Sequence, residues 1–403
     1  MERIQTTLAP GVELVACRTE QFKTGVLSVT LTVPLREETA TAYAMIPEVL
    51  YRGSRLHPDI EQLSAATDQL YGASLGPSVR QRGESQGISF LCSVIDDRYA
   101  LDGMAVLEPA AMLMGEILLD PAVEGGVFRA DYVQSEGANL ADRINARIND
   151  KQDWAIFRLT QEMCAGEAYA LDKLGSAQQA LEMTPEVLWE HYQTLLAQAQ
   201  VVFYYSGSAP WDRVEQVVRQ AFAPLITPRQ RGYTCQVVER PAGSVRRITE
   251  RMEVGQAKLA LGFRTGGITM GHPQFPALLV CNALFGGTAN SKLFLRVREE
   301  LSLCYSVSSL LDKLKGIMVV PAGVDAADLN RAEQAILEQL EEIRRGQFTQ
   351  EELEAARMAV RSGLRSARDS QGRMEDDCVT RQLATGTPEG SQALLEAVEQ
   401  VTA

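Results

Sequence analysis

Three histidines, seven cysteines and two adjacent aspartate pairs are the residues of this 403-residue chain whose types could do chemistry. A catalytic metal site needs about three protein ligands converging on one ion. His57 lies in Leu56-His57-Pro58, His191 in Glu190-His191-Tyr192 and His272 in Gly271-His272-Pro273; none has a second histidine within a helical turn. His57 and His272 precede proline, where extended or turn backbone is favoured, so both are expected as loop or cap residues. The cysteines (17, 92, 164, 235, 281, 304 and 378) never form C-x-x-C. That spacing excludes a zinc ribbon or thioredoxin motif and fits buried thiols in a reducing cytoplasm. Asp96-Asp97 and Asp376-Asp377 have nothing beside them to raise one carboxyl pKa, so solvated turn or helix-face positions are expected. Gly286-Gly287-Thr288-Ala289-Asn290-Ser291-Lys292-Leu293 fails as a phosphate loop, with Ser291 at the second glycine and Leu293 at the Mg²⁺-binding hydroxyl.

Composition narrows the class. With 45% hydrophobic and 23% charged residues the chain is globular material for two or three domains. A net charge of −13 argues against nucleic acid as a partner, and Arg246, Arg247 and Arg251 are too few to reverse it. The start, Met1-Glu2-Arg3-Ile4-Gln5, has no secretory pattern, and no apolar run approaches 18 residues. A cytoplasmic protein is expected, with no membrane partner.

The elements that would position any site come in a repeated order. Leu27–Val33 alternates as a strand, Ala40–Tyr51 reads as a helix stopped by Gly53, and Asp59–Leu70 as a second helix. Strands near Ser74–Arg80 and Gly87–Ile95 follow, then helices near Leu101–Leu119 and Ala130–Asn149. The second half replays this with a strand at Ala257–Thr265, helices at Phe275–Phe285 and Ser291–Leu301, strands near Cys304–Leu311 and Gly316–Val324, and helices at Ala327–Arg345 and Thr349–Arg368. Gly53 to Gly286 spans 233 residues and Gly87 to Gly316 spans 229, so the chain is expected to be a duplication. Each half is then α+β, an antiparallel sheet with helices covering one face. Residues 1–223 form the first half, 224–246 a linker holding Pro228, Arg229, Arg231, Pro241 and Gly243, and 247–403 the second half. The first half closes with a helix from Pro185 and a strand at Val201–Tyr205. The same period puts the second closing strand near residue 435 (an extrapolation of roughly 230 residues), so the second half is expected to be C-terminally truncated.

Specific residues resemble the pitrilysin/insulinase family of zinc peptidases. Tyr51-Arg52-Gly53-Ser54 matches the tail that follows that family's HxxEH helix, and Phe285-Gly286-Gly287, Ser291-Lys292-Leu293-Phe294 and Arg298–Ser306 match its second-half signature. Tyr71–Leu75, Arg147–Lys151, Glu162-Met163-Cys164 and Leu174-Gly175 resemble a zinc-less bacterial branch, the YmfF type, associated with elongation factor P modification. The resemblance implies a clamshell of two homologous halves. It also places the five metal-motif positions at Ala44-Met45-Ile46-Pro47-Glu48. Ala44 cannot ligate, and Pro47 replaces the general base and is expected to kink or start the helix. Glu48 alone makes no site, and Glu136, matching the family's distal ligand, is expected to be an ordinary solvated or structural glutamate.

The resemblance gives Arg298 and Tyr305 a substrate-binding role, as donors to a peptide carbonyl and its developing oxyanion. The alternatives are a surface arginine and a core tyrosine. No cofactor, metal or catalytic residue is expected. The functional expectation is a non-catalytic subunit that pairs with a zinc-bearing pitrilysin-like homologue (YmfH type) and helps enclose a peptide or small protein. A scaffold protein and a stand-alone peptide binder are the rivals.

Overall fold

The computed structural model describes residues 2–239 and 243–403; Pro241 of the expected linker lies outside them. The first half runs β1 (Glu2–Ala9), β2 (Val12–Arg18), β3 (Thr24–Pro34), α1 (Glu37–Leu50), α2 (Ile60–Gln69), β4 (Ser74–Arg82), β5 (Ser85–Ile95), α3 (Leu107–Leu119), the short β6 (Val123–Glu124) and β7 (Val127–Phe128), α4 (Ala130–Ala146), α5 (Lys151–Met163), α6 (Ala177–Glu182), α7 (Pro185–Gln198), β8 (Gln200–Gly207) and α8 (Trp211–Ala221). The second runs β9 (Ala257–Arg264), α9 (Phe275–Asn282), wide helical turns at Ala283–Gly287 and Leu293–Glu300, β10 (Cys304–Val307), β11 (Leu310–Asp312), β12 (Ile317–Val324), α10 (Leu329–Arg344), α11 (Gln350–Ser366), α12 (Gln371–Thr385) and α13 (Ser391–Glu399).

These elements form two compact units whose membership crosses the halves. The first holds Met1–Asn145, Leu171–Thr234 and Ser370–Glu389; the second holds Ala146–Ala170, Cys235–Asp369 and Gly390–Ala403. The first-half helix α5 therefore belongs to the second unit, and the second-half helix α12 to the first.

In the first unit six strands lie in the order β1-β2-β8-β3-β5-β4, with β2 and β8 parallel and the other neighbours antiparallel. Alternation along β3 suggests one wet face, yet nine of its eleven residues are buried. Leu27, Val29, Leu31 and Val33 join the main core with α1, α3 and α7. The opposite, polar face is closed by α12, whose Met374, Cys378, Val379 and Leu383 pack on Val15, Cys17, Val202 and Tyr204. Two polar pairs lie on this face: Ser28 Oγ donates to Glu375 Oε1 at 3.0 Å, and Thr30 and Ser89 hydroxyls lie 2.9 Å apart. The sheet is thus covered on both faces, not one.

Asp376 and Asp377 lie on α12, as helix-face residues, but both are ion-paired. Asp376 Oδ1 accepts from Arg80 at 2.9 Å and from Arg82 at 3.0 Å, and Asp377 pairs with Arg381 at 2.9 Å. Asp96 is buried; its carboxylate takes the Ser208 backbone N–H at 3.1 Å and the Arg98 guanidinium at 3.0 Å. Burial alone would raise it, but these bonds outweigh that and hold it below the usual carboxylate range.

In the second unit β12 pairs antiparallel with β9 on one side and with β10 and β11 on the other. One face carries the core of Phe285, Leu293, Val297, Val320, Ala332 and Ile336. Across the other face lies α5, close enough that a Cβ on Gly262 would run into Met163 and Leu159. Buried Lys315 anchors this segment through Glu167 Oε2 at 2.6 Å, and Arg264 reaches the same carboxylate. Among the described residues no helix is long and apolar enough to cross a membrane.

Candidate functional site: a closed metal motif

The five motif positions lie in α1, which begins ten residues before Pro47 and continues through it to Leu50. Pro47 neither starts this helix nor ends it; Tyr51 N still bonds Pro47 O at 3.1 Å. Ala44, Met45, Ile46 and Pro47 are all buried, so apolar packing fills the face where a metal and a base would be needed.

The two carboxylates that survive are bound by cations of the protein itself. Glu48 Oε1 accepts from Arg143 Nη1 at 2.8 Å. Glu136, buried on α4, accepts from Arg52 Nη1 at 3.5 Å and from Asn139 Nδ2 at 3.1 Å. Arg52 also stacks over the Tyr132 ring at 5.2 Å, with Arg129 over the same ring at 4.4 Å. Glu136 is therefore structural rather than solvated. An alanine, a proline and two arginine-bound carboxylates do not fit zinc, which wants open N, O or S donors. Among the described residues no group of three or more His, Cys, Asp or Glu side chains could hold a metal ion.

The tail of the motif has structural work to explain its survival. Tyr51 Oη donates to Leu75 O at 2.6 Å, Arg52 binds Glu136, and an added Cβ on Gly53 would run into Pro58 O. Ser54 Oγ donates to Glu116 Oε1, whose other contact is His57 Nδ1 at 2.9 Å. Serine, histidine and glutamate thus meet, but both bond the same carboxylate oxygen, and the His57 ring does not bond the hydroxyl. Ser54 is fully buried and receives the His57 backbone N–H at 3.0 Å, so the cluster closes a turn. His191 packs edge-on to Tyr43 with ring centroids 5.9 Å apart, and burial lowers its pKa. His272 Nδ1 accepts the Gln274 N–H within its loop.

Gly72-Ala73-Ser74-Leu75-Gly76 has the form G-x-S-x-G. A nucleophile elbow needs a strand entering and a helix leaving. Here a helix enters and β4 leaves, with Ser74 exposed at its start, so the motif carries no nucleophile.

Arg298 and Tyr305 belong to the second unit. Arg298 sits in the wide turn Leu293–Glu300 with its guanidinium 4.5 Å from the Phe294 ring centroid. It also faces Cys304, whose thiol burial pushes up to about 11 against the pull of that charge. Ser302, at a left-handed φ of 51°, turns the chain from this helix into β10. Tyr305 follows on β10, 78% exposed, and its phenol makes no hydrogen bond among the described residues. It is a surface residue rather than a core one, free to donate to a ligand. The signal missed in the sequence was Arg143, which reads as an ordinary helix-face arginine until the fold brings it to Glu48.

Two α+β halves repeating one order, with a filled metal motif in the first, define a peptidase scaffold without its metal ligands. Residues 182–360 match the peptidase M16 inactive domain. The chain is 32% identical over 349 residues to "Probable inactive metalloprotease YmfF" of Bacillus subtilis (strain 168), covering 86% of this chain and 80% of that one. A conserved protein from Enterococcus faecalis V583 superposes with a TM-score of 0.88 at 28% identity, over 99% of this chain and 93% of that one. A peptidase M16 inactive domain from Pseudomonas fluorescens gives 0.76 at 17% identity over 100% and 93%, a likeness of fold. The chain belongs to the pitrilysin-like M16 peptidase family, as an inactive-type member.

Proposed function

We propose that this chain is a non-catalytic subunit that pairs with a zinc-bearing homologue of its own family and helps enclose a peptide substrate. The observation that carries the reading is the contrast between two sites. The metal motif is buried and its carboxylates are tied to Arg143 and Arg52, whereas Tyr305, beside the arginine-bearing turn, presents an unbonded phenol to solvent. A motif without open metal donors beside an exposed tyrosine donor fits a subunit that holds substrate while its partner cleaves it. The test is reconstitution: the purified chain alone should cleave no peptide, and mixing it with a zinc-bearing homologue encoded in the same genome should give peptidase activity exceeding that of the homologue alone. Co-purification without any gain in activity would make the chain a scaffold instead.

A further inference from the structure

Two of the seven cysteines stand together. Cys17 on β2 and Cys378 on α12 come from opposite ends of the chain, yet both are fully buried in the small cluster that seats this helix on the sheet. Elsewhere burial acts on single thiols: it pushes Cys92 up to about 12 and raises Cys281, leaving each protonated and inert.

Strand register brings polar groups to the pair. Arg3 on β1 stands directly opposite Cys17 in an antiparallel ladder, so the two side chains leave the sheet on the same face. Tyr204 on β8 stands opposite Val15, which shares the Cys17 face through the two-residue period of β2. Cys378 follows Met374 by one helical turn on the inner side of α12. Arg3 is half-buried, and its Nη1 donates to Pro388 O at 3.2 Å, just beyond the end of α12. Tyr204 is completely buried, and its phenol has no hydrogen-bond partner among the described residues. A buried hydroxyl without a partner is costly, and phenylalanine would fill the same space without that cost.

The charges divide the pair into two roles. A hydrogen bond from the Cys378 thiol, with the Arg3 guanidinium beside it, holds the Cys17 thiol below its ordinary value against the burial that would raise it. Cys378 is raised in turn, chiefly by Cys17 and then by burial, and keeps its proton. An incipient thiolate thus faces a protonated thiol, a cation and an unengaged phenol. Thiols that serve only as packing have no use for such neighbours.

We propose that Cys17 and Cys378 form a dithiol that a hydroperoxide oxidises to a disulfide, tying α12 to β2. The Cys17 thiolate attacks one peroxide oxygen; the O–O bond breaks, the sulfur becomes a sulfenic acid, and the departing hydroxide takes the proton that Cys17 released, giving water. The Cys378 sulfur then attacks the Cys17 sulfur. The S–S bond forms as S–OH breaks, and the hydroxide leaves with the Cys378 proton as a second water. Two thiols lose two electrons and hydrogen peroxide gains them. A free thiol reverses the step by exchange.

The test exposes the full chain, reduced and freed of reductant, to hydrogen peroxide, then quenches it, alkylates the unfolded protein and maps the peptides by mass spectrometry. A peptide pair linked through Cys17 and Cys378 is expected, and dithiothreitol should abolish it. The oxidised chain should melt roughly 5–15 °C higher, because a cross-link closing so long a loop restricts the unfolded state. Cys378→Ser keeps a hydroxyl to donate to Cys17 but removes the resolving sulfur, so Cys17 should be trapped as a sulfenic acid that dimedone labels. Cys17→Ser should leave Cys378 unlabelled. Full alkylation of both residues after peroxide would overturn the proposal, and so would a link from either to another cysteine or to a second chain. If neither serine variant folds, the peptide map of the unaltered chain decides.

Discussion

Arg143 Nη1 lies 2.8 Å from Glu48 Oε1, although 95 residues separate them in the chain. Glu48 is the last of the five positions that the resemblance sets against the family's metal motif, and the Arg143 guanidinium supplies the positive charge it faces. The purified chain should accordingly hold no stoichiometric zinc, and Arg143→Ala should not create a zinc site, because Ala44 and Pro47 still offer no donor. Elemental analysis checks this; one tightly held zinc per chain would contradict it. The pair is partly exposed, so a double-mutant cycle on Glu48 and Arg143 should give a coupling of about 0.2–1 kcal/mol.

Gly53→Ala should destabilise the first unit by about 1–3 kcal/mol, the usual cost of overpacking. The new methyl meets the Pro58 carbonyl, a backbone group that cannot swing aside. Urea denaturation measures the change; a variant as stable as wild type would show that the turn through His57 adjusts freely.

Glu375, with 3% of its side chain exposed, sits on the inner face of α12, and burial raises its pKa against the opposing pull of Arg82 and Arg80. A carboxyl whose folded pKa lies above its unfolded value contributes stability below the unfolded value and loses it as pH rises through the folded one. Glu375→Gln mimics the protonated form and keeps a group for Ser28 to bond. The variant should melt higher than wild type at neutral pH, and the gap should close in acid below the usual carboxylate range. Melting curves at several pH values check the sign; a variant less stable at neutral pH would mean that the arginines outweigh burial.

In an active complex with a zinc-bearing homologue, Arg298→Ala or Tyr305→Phe should lower kcat/KM by about 10²–10³-fold without dissociating the subunits. Steady-state kinetics together with co-elution separates lost donors from lost assembly. Unchanged turnover in both variants would make Arg298 a surface residue stacked on Phe294 and Tyr305 an idle one.

The helices and strands were largely legible, because 3.6- and 2-residue apolar spacing survives in each half; α1, β5, β9 and the Thr349-capped α11 fall where their patterns put them. The exchange of α5 and α12 was not legible. An apolar stripe says that a face is buried, never which sheet it will meet. The burial of Asp96 and the ion pairs of Asp376 were hidden for the same reason. Their partners Ser208 and Arg80 lie 112 and 296 residues away, so local context made both look solvated. In α1 and α4 only the fold shows that Arg143 binds Glu48 and Arg52 binds Glu136.

The membership of α12 in the first unit sets an order on biosynthesis. A ribosome emits β1 through β8 early, yet Val15, Val202 and Tyr204 have no cover until Met374, Cys378 and Leu383 emerge. By then nearly all of the first unit's sequence has been made, together with Ala146–Ala170 and Cys235–Asp369 of the second. A nascent chain therefore carries the apolar patch of this otherwise polar sheet face bare through most of translation, where a holdase can bind it. It also means that nicking the polypeptide between residues 234 and 370 need not release two independent pieces, since each fragment keeps a helix that completes the other's wall.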